Sequence, residues 1–147
     1  MLAIFNYRRR RSLACALIGE VAATLEAIEG YDEIRHLEAG DDEAERRLAE
    51  LDAFKLPLST FYNGNVAQLR LFDAHVQRLI TYFYTRSASL ADHLQAFAKV
   101  TDDAELRKEH ARNAAAEISN TMNAGDDLLR ALRPFSSRRY KPSITRA

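Results

Sequence analysis

The chain has one cysteine, three prolines, five glycines and no net charge across its 147 residues. The single Cys15 excludes an intramolecular disulfide and a paired-cysteine metal site, and it suits a reducing compartment. With so little glycine there is no Walker loop or dinucleotide fingerprint, and no nucleophile elbow is present either. Asn63-Gly64 is an isolated bend rather than a phosphate cradle. No apolar run approaches the ~20 residues that a membrane-spanning helix needs. No segment alternates apolar and polar residues as a half-buried strand does, and none repeats. The sequence pI near 6.9 is far from that of a typical nucleic-acid binder.

The neutral total conceals strong patterning. Arg8, Arg9, Arg10 and Arg11 form an unbroken run, and Arg133, Arg138, Arg139, Lys141 and Arg146 cluster near the other end. Between Glu20 and Asp52 there are 12 acidic residues against three basic ones. Opposing blocks on one chain imply that different surfaces meet different partners or surroundings. The arginine run and the apolar residues after it are similar to a secretory signal. Glu20 interrupts that stretch too early, however, and helical spacing continues to Ile34. Ser12-Leu-Ala-Cys15 resembles a lipoprotein site, but four arginines stand where its apolar run belongs.

Ala, Leu, Glu and Arg dominate the composition, and all are good helix formers. Leu13, Leu17, Val21, Leu25 and Ile28 recur in steps of four and three, which predicts an amphipathic helix over residues 12–37. The apolar neighbours of Cys15 predict a buried, inert thiol. Gly40 and the following aspartates predict a stop and a short new helix over residues 42–53. Pro57 breaks the pattern, and Ser59 or Thr60 can cap a short helix beginning near Phe61. Asp73 starts a long helix over residues 73–100, with its stripe at Val76, Ile80, Phe83, Ser87, Leu90, Leu94 and Phe97. Thr101 is the expected cap of the last helix, whose stripe runs Leu106, His110, Ala114, Ile118, Met122, Leu129 and Leu132. Pro134 is expected to end it.

The expected fold is all-α: an antiparallel bundle of three long helices plus one or two short ones. Three regions follow: a basic segment at residues 1–11, a helical domain at 12–133 and a basic tail at 134–147. If the short second helix is a full leg, both basic ends share one pole. With only three long legs, the termini fall at opposite ends.

Candidate chemistry is sparse, and no catalytic residue, cofactor site or metal site is assigned. Glu33 and His36 fit one Glu-x-x-His pair, whereas a di-iron bundle needs two such pairs and further glutamates. His110 on an apolar stripe fits a hydrogen-bonded core or boundary histidine. Phe54, Phe61, Tyr62, Phe72, Tyr82, Phe83 and Tyr84 form an aromatic cluster that suits either a core or a partner-binding groove. Exposure of Tyr62 and Tyr84 would mark the groove. Asp41, Asp42, Glu43 and Glu45 offer an acidic face to a protein partner. Arg8, Arg9, Arg10, Arg11, Arg138, Arg139 and Lys141 suit an anionic surface, either lipid or nucleic-acid phosphate.

Three stretches carry a resemblance: Arg8-Arg-Arg-Arg-Ser-Leu-Ala-Cys-Ala-Leu-Ile-Gly-Glu-Val, Phe61-Tyr-Asn-Gly-Asn-Val-Ala-Gln-Leu, and Val76-Gln-Arg-Leu-Ile-Thr-Tyr-Phe-Tyr. In these the chain resembles a loose group of uncharacterised bacterial proteins. These have a membrane helix, then arginines, then a helical cytoplasmic domain. The resemblance implies no catalytic residues; only seven residues precede the arginines here, so the group's anchor is expected to be absent, truncated or supplied by another protein. The expected function is a non-enzymatic interaction or regulatory domain at the cytoplasmic face of a bacterial membrane, with a protein partner or a second copy of itself. The alternatives are a soluble adaptor or inhibitor engaging a nucleic-acid-processing complex, and a carboxylate–histidine metal bundle.

Overall fold

The computed structural model describes residues 2–31, 56–57, 59–100 and 102–137. Among them the fold is all-α, with no strand. Helix α1 spans Leu2–Glu29, α2 spans Thr60–Asn65 and continues into a 3-10 helix over Val66–Leu71, α3 spans Ala74–Lys99, and α4 spans Ala104–Ser136. The helix expected at residues 42–53 lies outside the described residues.

Helix α1 begins ten residues earlier than its apolar stripe predicts, so the boundary expected after residue 11 falls inside a continuous helix. The arginines are good helix formers, and contacts with the end of α4 reward ordering this turn. The Tyr7 hydroxyl donates to the Ser137 carbonyl at 3.3 Å, and Arg11 Nε donates to the Ser136 carbonyl at 3.2 Å. The helix also stops earlier than expected. Gly30 N and Tyr31 N close tight turns onto the Ala27 and Ile28 carbonyls at 3.2 and 2.9 Å. Leu13, Ala14, Leu17, Val21, Thr24 and Ile28 are buried along one stripe. Cys15 is exposed, against expectation. It stands two residues from both Leu13 and Leu17, which turns it to the opposite side of a 3.6-residue helix.

In α3 the expected stripe is buried in full, with Tyr84 added. Asp73 caps this helix, its Oδ1 accepting from Val76 N at 3.0 Å. At α4 the cap is Asp103, which accepts from Leu106 N at 3.0 Å; Thr101, the expected cap, lies outside the described residues. The buried stripe of α4 differs from the expected one. Ala111, Ala114, Ile118, Thr121, Ala124, Gly125, Leu128 and Leu132 face the core, while Leu106 is 40% exposed and His110, Met122 and Leu129 are half-buried. The expectation shared Ala114, Ile118 and Leu132 with this stripe but missed the small Ala111, Ala124 and Gly125. A Cβ on Gly125 would stand 2.6 Å from Leu25 Cδ2 and 3.0 Å from Phe83 Cε2.

Pro134 does not end α4, which runs on to Ser136. One ladder bond is lost in the last turn, where loss is cheapest, and docking offsets it. Phe135 packs edge-on against Phe72 with ring centroids 5.3 Å apart, and the Arg10 guanidinium sits 5.2 Å from the Phe135 ring centroid.

The core has two layers. Leu13, Leu17, Phe72, Val76, Ile80, Leu128 and Leu132 share the first. Ile28, Leu90, Leu94, Phe97, Ala111, Ala114 and Ile118 share the second. The start of α1, the start of α3 and the end of α4 therefore lie together. Leu56 packs in the second layer, Phe61 and Phe72 in the first. Residues 56–72 thus lead back from the second layer to the first. The Tyr7–Ser137 and Arg11–Ser136 bonds bring the two ends together, the arrangement expected of an even number of legs; the short second helix on which that number turns lies outside the described residues.

Candidate functional site

Two arrangements emerge from this fold, a basic pole and a buried tyrosine–carboxylate network. At the pole, Tyr7, Arg10 and Arg11 of α1 contact the end of α4. Arg10 and Arg11 turn toward α4, one over the Phe135 ring and the other bonded to the Ser136 carbonyl. Arg8 and Arg9 are exposed, with the Arg9 guanidinium 5.4 Å from the Phe5 ring centroid. Before them Leu2, Ile4 and Phe5 are 80%, 64% and 58% exposed. Arg130 and Arg133 on α4 are exposed at the same end. No acidic residue occurs before Glu20. The pole therefore gathers exposed apolar side chains and arginines in one place, Arg130 being paired with Asp127 at 3.5 Å, and suits an anionic, partly apolar surface.

The second arrangement centres on Glu20, which the apolar stripe had left at its edge. Glu20 Oε2 accepts from Phe61 N at 2.8 Å, and Glu20 Oε1 accepts from Tyr62 N at 3.1 Å. The Tyr84 hydroxyl donates to the same Oε1 at 2.7 Å. A carboxylate from another helix thus satisfies two open N–H groups at the start of α2, where helix polarity favours negative charge. Ser59, one of the two expected caps, stands at the N-cap but makes no such bond. Tyr62 stacks on Tyr84 with centroids 3.9 Å apart and planes 5° from parallel. Burial, then the hydrogen bond to Glu20 and its charge, push the Tyr84 hydroxyl well above the ordinary tyrosine range. Tyr84 is only 5% exposed and Tyr62 is half-buried. Phe72, Phe83 and Tyr84 are core, Phe61 and Tyr62 are half-buried and Tyr82 is exposed, while Phe54 lies outside the described residues; Tyr84 offers no free face to a partner.

Between α3 and α4, Arg86 donates to Glu117 Oε1 at 3.1 Å, while Glu117 Oε2 and the Thr121 hydroxyl are buried with no hydrogen-bond partner among the described residues. Arg138, Arg139, Lys141, Asp41, Asp42, Glu43 and Glu45 lie outside the described residues, as do Glu33 and His36. Among the described residues no group of three or more His, Cys, Asp or Glu side chains is placed to hold a metal. No described helix is long and apolar enough to cross a membrane. The role of Glu20 escaped sequence reasoning because capping partners from distant segments leave no local signature. Its position three residues after Leu17, beside the buried stripe, is the only trace. Comparison with protein-family models, curated proteins and solved structures finds no match to this chain.

Proposed function

We propose that this chain is a non-enzymatic helical interaction or regulatory domain that works at the anionic cytoplasmic face of a bacterial membrane. One observation carries this reading. The Arg11–Ser136 bond joins the start of α1 to the end of α4, gathering Arg8, Arg9, Arg130 and Arg133 at the end where Leu2, Ile4 and Phe5 are exposed. Lys and Arg near an anionic leaflet contribute about 1 kcal/mol each. Apolar side chains beside them add the second attachment that stable peripheral binding needs. Arg138, Arg139 and Lys141 follow directly on the same end of α4 in the sequence and belong to the same proposed patch. The resemblance to anchored bacterial proteins is consistent with this surface.

The finer architecture is part of the proposal: α1, α3 and α4 are the three long helices of an antiparallel bundle, completed by shorter segments. The acidic residues Asp41, Asp42, Glu43 and Glu45 are proposed to meet a protein partner. Vesicle co-sedimentation tests the reading. Binding to phosphatidylglycerol-containing vesicles should exceed binding to pure phosphatidylcholine and should weaken with salt. Equal binding to both overturns it.

A further inference from the structure

A cleft of about 250 Å³ opens between α1 and α2. Buried Leu13 and half-buried Phe61 form its base, with Arg9 and Ser12 on one side and Asn65 and Gln68 on the other. It is smaller than the roughly 300–1,000 Å³ of most small-molecule pockets. Positions 2, 5, 9 and 12 follow one another along a single face of α1. That face runs from exposed Leu2 and Phe5, through the Arg9 guanidinium, to the Ser12 hydroxyl at the cleft.

The cleft is rich in donors. Asn65 Nδ2 donates to the Phe61 carbonyl at 2.8 Å, and Gln68 Nε2 donates to Asn65 Oδ1 at 3.0 Å. Each of these amides has a second N–H, and these bonds fix the amide orientations. Arg9 adds its guanidinium donors and Ser12 a rotatable hydroxyl. No acidic residue occurs in residues 2–19 or 60–72. The nearest carboxylate in the sequence of α1, Glu20, is engaged by Phe61 N, Tyr62 N and the Tyr84 hydroxyl. A multiply hydrogen-bonding anion complements this set.

We infer that the cleft receives the phosphate of an anionic phospholipid headgroup, while Leu2 and Phe5 enter the interfacial layer beside it. The exposed apolar residues next to Arg9 decide for lipid over free phosphate, which would leave them in water. The inference rests on the membrane reading above and adds a site to it: general charge attraction needs only Arg8 and its neighbours, whereas a headgroup site also needs Ser12 and Gln68.

Co-sedimentation of the full chain with phosphatidylcholine vesicles, with and without phosphatidylglycerol, separates the two. The double variant S12A/Q68E should bind phosphatidylglycerol vesicles about tenfold more weakly, because it removes one donor and sets a carboxylate against the phosphate. Both substitutions fall at positions outside the buried core, and unchanged helicity by circular dichroism checks the fold. Undiminished binding by this variant, with the lipid preference of the parent intact, overturns the headgroup site and leaves the membrane reading standing. No lipid preference in the parent chain overturns the membrane reading itself. Inorganic phosphate, at ionic strength matched with chloride, should not displace the protein. Displacement at concentrations comparable to the lipid would identify a free-anion site and overturn the lipid assignment.

Discussion

The Tyr84 hydroxyl of α3 donates to the Glu20 carboxylate of α1 at 2.7 Å, and the same carboxylate caps α2. Three elements far apart in sequence therefore meet at one side chain. Removing it leaves Phe61 N, Tyr62 N and a buried phenol without their acceptor.

Glu20→Ala is expected to destabilise the fold by about 2–4 kcal/mol, combining a lost cap with a buried unpaired hydroxyl. Tyr84→Phe removes only the hydroxyl and should cost about 1–2 kcal/mol. Urea unfolding of both single variants and the double variant measures the coupling. Strict additivity of the two losses would show that the Tyr84–Glu20 bond contributes nothing.

The raised Tyr84 hydroxyl predicts a specific alkaline dependence. The folded state holds this proton more tightly than the unfolded state, so ν_U falls below ν_N once pH exceeds about 10, and stability declines from there. Below that value both states are protonated and this group adds no slope. Thermal midpoints recorded from pH 8 to 11 should fall less steeply in Tyr84→Phe than in the parent chain.

Gly125 leaves no room for a Cβ between Leu25 of α1 and Phe83 of α3. Gly125→Ala should cost about 1–3 kcal/mol through overpacking, despite the better helix propensity of alanine. Shortening Leu25 should relieve part of that loss. If Leu25→Ala and Gly125→Ala destabilise independently in a double-mutant cycle, the clash is not the cause.

The four arginines should divide into two pairs. Arg8→Ala and Arg9→Ala are expected to weaken binding to anionic vesicles about fivefold each, with little change in melting temperature. Arg10→Ala and Arg11→Ala should lower stability by about 0.5–1.5 kcal/mol, because they dock the end of α4. Calorimetry and vesicle binding on the same four variants decide whether position within the run matters.

Much of the fold was legible from spacing. Every expected α3 stripe residue is buried, with Tyr84 in addition, because most of its core side chains are large and recur at one helical period. The α4 stripe was read only in part because Ala111, Ala124 and Gly125 face the core through smallness, which a search for bulky apolar residues passes over. Cys15 was misjudged from its sequence neighbours, although the helical period itself turns it outward. Pro134 was taken as a terminus on local grounds, and the Phe135–Phe72 contact outweighed them.

Composition and periodicity by themselves determined an all-α chain with an arginine run at the start and basic residues after its last helix. Helix formation depends on local spacing, and charge is written directly in the residues. Only the tertiary structure decided that the two ends meet. That outcome depends on residues 56–72 crossing from one core layer to the other, a path set by contacts between segments far apart in sequence. Glu20 shows the same division: its charge is plain in the sequence, but the helix it caps is 41 residues away.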